Sequence, residues 1–185
     1  MMNTTHAAMG VTLAAPLTAL APEFAPIGAL AGFLGGAFPD LDLLSGQHRQ
    51  TLHFPAYYSA AAIAAVTAAL LAPGLGTVGV ALFFVSAAVH CISDAAGGGL
   101  ELRPWKATDD RGVYVHPAGH WVRARRWIRY DGAPEDLLLA SAFSLPGLVL
   151  FDGVVRQLTI GALAVSVVYV AVRKRLPDLE TRYLR

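Results

Sequence analysis

Two short stretches hold most of the residues able to do chemistry. "FPDLDLLSGQHRQTLHF", residues 38–54, carries Asp40, Asp42, His48, Arg49 and His53, and "VHCISDAAGGG", residues 89–99, carries His90 and Asp94. His6 stands near the start of the chain. On a helix, His90 and Asp94 are i and i+4, so both point from one face, one turn apart. In an extended segment, Asp40 and Asp42 would share one side. Imidazole nitrogen with carboxylate oxygen suits zinc, manganese or iron. The single cysteine, Cys91, excludes an internal disulfide and any cysteine-rich metal cluster. A His/Asp site with room for water suits metal-activated hydrolysis. Each motif also has a plainer reading. "HxxxD" arises by chance, "PDLD" can stop one helix and cap the next turn, and "HRQTLH" can be an interfacial loop.

The elements that must position these residues are apolar. The chain is 55% hydrophobic and only 15% charged, where a soluble domain carries about 25% charge. The sequence predicts an all-α integral membrane protein, a single domain over 1–185. About six helical spans are expected, near 7–21, 24–38, 55–73, 76–96, 137–151 and 154–172. The middle ones are about 20 residues long, enough for a ~30 Å hydrocarbon core. The first two are shorter and predict a helical hairpin turned at "APEFAP" and buried against the rest. Gly28, Gly32 and Gly36 recur every four residues, the small-xxx-small spacing that lets helix backbones approach closely. The N-terminal run lacks the Lys or Arg that usually precedes a secretory signal, so it is expected to be retained.

If every segment crosses, one face carries the N-terminus, 39–54, 97–136 and the C-terminal tail. That face holds 13 of the 14 Lys and Arg, and the other holds Arg156 alone. The positive-inside bias then puts both termini in the cytoplasm of a multi-pass plasma-membrane (inner-membrane) protein. The same topology brings His6, Asp40, Asp42, His48, His53, His90 and Asp94 to one face from four chain segments. Ionisable residues at membrane depth are costly and usually functional, which favours one shared metal site.

Residues 97–136 read as a cytoplasmic insertion. Gly97, Gly98 and Gly99 allow either a close approach near the site or a flexible exit from the helix. "GVYVHPAGHWV" predicts a β-hairpin with His116 and His120 as exposed turn residues. Arg123, Arg125, Arg126 and Arg129 interleave Trp121, Trp127 and Tyr130. This mixture could stack on bases, but on a membrane face it points to anionic lipid headgroups, and no nucleic-acid partner is expected. "DGAPED" predicts a helix start with Pro134 in its first turn, and "RKRLPDLETRYLR" a short interfacial helix.

Taken in order, His6-x3-Gly10, "PDLD", "HRQTLH" and "HCISD" followed by glycines resemble the YdjM-like membrane-bound metal-dependent hydrolases. The motifs span roughly residues 1–100. The family often reads "HRxxTHS", whereas Leu52 and Phe54 flank His53 here, leaving Thr51 as the nearby hydroxyl. A more distant similarity is to zinc-dependent phospholipase C and P1 nuclease, whose His, Asp, His and His-x3-Asp ligands follow the same order. The later ligands of those enzymes have no clear counterpart here, His116-x3-His120 being the nearest.

The resemblance implies one or two divalent ions, zinc before manganese or iron, held by His6, Asp40, His53, His90 and Asp94. Asp42 and His48 would orient those ligands or replace one of them, with Asp42 the base and Arg49 facing a developing phosphate charge. The implied activity is hydrolysis of a phosphoester or similar bond, carried by a lipid or another phosphate-bearing substrate. Two competing readings stand beside it: a metal-ion or proton transporter, and a non-catalytic scaffold with a structural metal.

Overall fold

The computed structural model describes residues 1–183, and these are mostly helical with one small sheet. Prolines set most of the boundaries. α1 (Asn3–Ala14) stops just before Pro16, and a single further turn, α2 (Leu17–Leu20), leads to Pro22. α3 (Ala25–Ala37), α4 (Pro55–Leu71) and α6 (Pro134–Val149) all carry proline in their first two positions, where its missing N–H costs nothing. α5 (Leu75–Ser93), α7 (Gly153–Val172) and α8 (Leu176–Tyr183) complete the helical set. The tail's last two residues, Leu184 and Arg185, lie outside the described residues.

Three stretches are long and apolar enough to cross a membrane: Pro22–Leu43, Leu75–Ala96 and Gly153–Leu179. α4 is apolar but shorter, at 17 residues. α1, with 12 residues, is only about 18 Å long, yet it lies at the centre of the bundle. Packing runs α4–α5–α3–α1–α6–α7, and α1 also touches α5 and α7. It can be central because its neighbours lack side chains where it crosses them. Gly10 and Gly32 face each other so closely that a Cβ on either would collide with the other's carbonyl. Gly36 lies equally close to the carbonyl of His6. The glycine spacing therefore serves to seat the helix that carries His6.

The polar insertion is not a loose appendage. β1 (Arg111–Val115) and β2 (His120–Arg123) pair antiparallel, with Tyr114 opposite Trp121 and an irregularity between Arg111 and Val113. The Tyr114 N–H donates to Arg49 O at 3.0 Å, and the Arg125 and Ile128 N–H groups donate to Ala95 O and Ala96 O. The run after α5 is thus bound into the insertion, which contradicts a flexible exit. Gly98 packs on the carbonyl of Arg129 and Gly99 on that of Asp109. Gly97, Gly98 and Gly99 are not among the positive-φ glycines, so the missing side chain is what the structure uses.

One expectation for the hairpin needs correction. His120 is exposed, but His116 is half-buried, set edge-on to Tyr114 and 4.7 Å from the Phe54 ring centre. The arginine-rich arm is also largely neutralised. Arg123 pairs with Asp110, Arg126 with Asp110 and Glu101, and Arg129 with Glu135. The sequence interleaves the cations with aromatics, while the fold folds carboxylates from elsewhere back onto them.

Candidate metal site

Four donor atoms from three segments converge: Asp40 Oδ1, His53 Nε2, His90 Nε2 and Asp94 Oδ2. His53 Nε2 is 3.2 Å from His90 Nε2, 3.2 Å from Asp94 Oδ2 and 3.6 Å from Asp40 Oδ1. His90 Nε2 is 3.3 Å from Asp40 Oδ1 and 3.5 Å from Asp94 Oδ2. A tetrahedral ion with ligand bonds of about 2.0–2.1 Å needs donor–donor edges of roughly 3.3–3.4 Å. These five distances lie around that value, the four donor atoms all lie within 4.8 Å of one another, and all four groups are buried.

Their hydrogen bonds fix which imidazole atoms are free. The His90 Nδ1–H donates to Gly36 O at 2.6 Å, an acceptor that cannot give a proton back. The His53 Nδ1–H donates to Asp42 Oδ2 at 2.8 Å. In its neutral form each ring therefore presents a bare Nε2 lone pair to the other, with two carboxylates beside them. Four acceptors gathered in a dry pocket repel one another unless a metal ion or a bound proton lies between them. This arrangement could hold a metal ion. Burial works against a charge on His53, but Asp42 and Asp94 outweigh it and raise its pKa above the ordinary imidazole value.

Local structure accounts for the division of labour between the two aspartates. Phe38–Leu43 forms a 3₁₀ helix and not the extended segment considered from sequence. At three residues per turn, Asp40 and Asp42 point about 120° apart. Asp40 thus reaches His53 from the Nε2 side and Asp42 from the Nδ1 side. Both Asp42 oxygens are engaged, one with His53 and the other with His48 Nδ1 at 2.9 Å. Carboxylates placed like this fix the tautomer and orientation of a metal-binding histidine and raise its basicity.

His6 is fully buried but belongs to the opposite side of Asp94. Its Nε2 is 3.1 Å from Asp94 Oδ1, and its ring stacks on His90 with centroids 3.8 Å apart. The Met1 nitrogen lies 3.0 Å from the same oxygen. Arg49 is buried with φ +61°, its Nη1 donating to Gly98 O at 2.6 Å and its Nε 3.3 Å from Asp94 Oδ2. All eight residues expected at the site are thus in or beside one cluster.

Asp136 was not anticipated. Reading "PED" as an acidic first helical turn accounted for it too easily. It is fully buried, and it accepts hydrogen bonds from the Met2 N–H at 2.8 Å, the Thr5 hydroxyl at 2.7 Å and the Gly132 N–H at 3.0 Å. These bonds anchor the start of α1 one residue before His6. Nothing in the local sequence signals a contact across more than 130 positions.

A cavity of about 440 Å³ adjoins the cluster. Asp40, His48 and Arg49 line one part of it, and Val165, Tyr169 and Arg173 another. Comparison with protein-family models, curated proteins and solved structures gives no match.

Proposed function

We propose that the protein is a multi-pass membrane hydrolase that depends on a divalent metal, zinc being the best fit, and cleaves a phosphoester at the cytoplasmic interface. The observation that carries this reading is the pair of Nε2 atoms 3.2 Å apart with Asp40 and Asp94 beside them, a buried four-donor group able to hold an ion. The lack of thiolate argues against a cysteine-type structural zinc, and hydrolysis would need one of the two carboxylates to yield its position to water or the ion to become five-coordinate. A second ion between Asp94 and His6 would have to displace the Met1 amine, 3.0 Å from Asp94 Oδ1, and the count stays at one or two. Six crossings with both termini in the cytoplasm, and membership of the YdjM-like hydrolases, belong to the same proposal. The ordered motifs and the charge asymmetry support them.

When bound, the ion would act as a Lewis acid on the phosphoryl oxygen and lower the pKa of a coordinated water. The remaining work falls to this chain. Asp42 holds His53 in the tautomer that leaves Nε2 free. His48 lines the cavity with its Nδ1 spent on Asp42, so its Nε2 remains to move a proton to or from substrate. This assigns proton transfer to His48, since both oxygens of Asp42 are occupied. The buried guanidinium of Arg49 is placed to offset negative charge gathering beside Asp94.

The test is hydrolysis of a generic phosphomonoester by purified protein before chelation, after chelation and after zinc is restored. Activity that disappears and returns with the metal, and that His48→Gln reduces without loss of bound metal, supports the reading. Metal that binds while no ester is cleaved would favour the transporter or scaffold.

A further inference from the structure

The cavity beside the cluster runs from polar to apolar in a way that a soluble phosphate does not need. Its wall on the last long helix is Val165, Tyr169 and Arg173, spaced i, i+4 and i+8 on one face. At 1.5 Å per residue this wall extends about 12 Å along the helix axis. The Arg173 end is polar: its guanidinium is held by Asp131 at 2.8 and 2.9 Å, and Tyr169 donates to the same carboxylate. The Val165 end is apolar and 58% exposed, flanked by Val167 and Val168 on the outer face of a helix long and apolar enough to span a bilayer.

The start of α1 closes the other side, where Thr4 Oγ1 accepts a hydrogen bond from the Ser166 hydroxyl at 2.7 Å. Asp40, His48 and Arg49 stand at the metal end, so a group reacting there is continuous through the cavity with the lipid-facing surface at Val165. A volume of about 440 Å³ is within the range of small-molecule sites, about 300–1,000 Å³. It accommodates a phosphate head and the first part of a chain, the remainder of the chain staying in the bilayer.

We infer that the substrate is a lipid phosphate that reaches the cluster sideways from the membrane, its chain leaving the cavity over Val165. This rests on the hydrolase reading for the chemistry at the head and on the cavity alone for the path of the chain. In the reaction, the oxygen of water forms a bond to phosphorus and the bond from phosphorus to the chain oxygen breaks. That oxygen takes a proton, and the products are a lipid alcohol and inorganic phosphate.

The experiment compares dodecyl phosphate with glycerol phosphate in neutral-detergent micelles, following binding by phosphorus NMR and cleavage by phosphate release. Val165→Trp is set against Val168→Trp, which faces outward without lining the cavity and so controls for micelle partitioning and folding. Dodecyl phosphate is expected to bind at least tenfold more tightly than glycerol phosphate. Val165→Trp should remove that advantage with metal content and glycerol phosphate binding unchanged, and Val168→Trp should preserve it. Equal binding of the two esters, or equal behaviour of the two variants, overturns the chain site while leaving the hydrolase standing. Dodecyl phosphate that binds through Val165 but is never cleaved keeps the chain site and removes the hydrolase.

Discussion

The buried cluster and the hairpin are built from much the same kinds of charged group and use them in opposite ways. On the hairpin, Arg111 meets Asp109, Arg123 meets Asp110 and Arg129 meets Glu135, each within 3 Å and each facing water on at least one side. Donor matches acceptor, and the pairs are complete without any third party. Exposed pairs of this sort contribute roughly 0–1 kcal/mol. In the cluster, the hydrogens of His53 and His90 are directed outward to Asp42 and Gly36 O, so acceptors meet acceptors in the middle. Completeness there requires a metal ion or a bound proton. The difference lies in where the hydrogens point, which no count of charges would reveal.

The contrast makes predictions that diminish in size. His90→Ala or Asp94→Asn should abolish metal binding, as measured by elemental analysis of purified protein, while the hairpin stays folded; retained metal would show that the four donors are not the site. Asp42→Asn keeps the shape but weakens the acceptor for the His53 Nδ1–H. It should lower metal affinity about 10–100-fold in a competitive chelator titration, and an unchanged affinity would detach Asp42 from the site. Asp136→Ala strips the Met2 N–H and the Thr5 hydroxyl of a buried acceptor and should cost about 1–3 kcal/mol in thermal or denaturant unfolding. Arg123→Ala should move stability by less than about 1 kcal/mol and leave metal affinity unchanged. A large effect of that substitution would mean that the hairpin pairs are coupled to the site after all.

Much of the cluster was legible because apolar runs placed the helix ends, and His6, Asp40, His53, His90 and Asp94 all fell at those ends or in the links between them. The split between Asp40 and Asp42 was not legible. It depends on the turn after Ala37 winding as a 3₁₀ helix, and "FPDLDL" fits an extended strand equally well by pattern. The acceptor for His90 is a backbone carbonyl at Gly36, 54 positions away, which leaves no mark in side-chain types. The pairing of the hairpin's arginines was hidden for a related reason. Its arginines are adjacent in sequence, but Glu101, Asp109, Asp110 and Glu135, which neutralise them, arrive only through folding. Of the fold itself, the helical segments and the hairpin were readable, whereas the central position of the short α1 depended on Gly10, Gly32 and Gly36 letting α1 and α3 meet at the backbone.

Cobalt(II) substitution tests the central claim most directly, because the visible spectrum reports coordination geometry as well as binding. The account predicts one tightly bound ion with the intense absorption of a four-coordinate nitrogen and oxygen site, lost in His53→Ala and in His90→Ala and kept in Arg123→Ala. Failure to bind cobalt, or a weak six-coordinate spectrum that survives loss of both histidines, would contradict it.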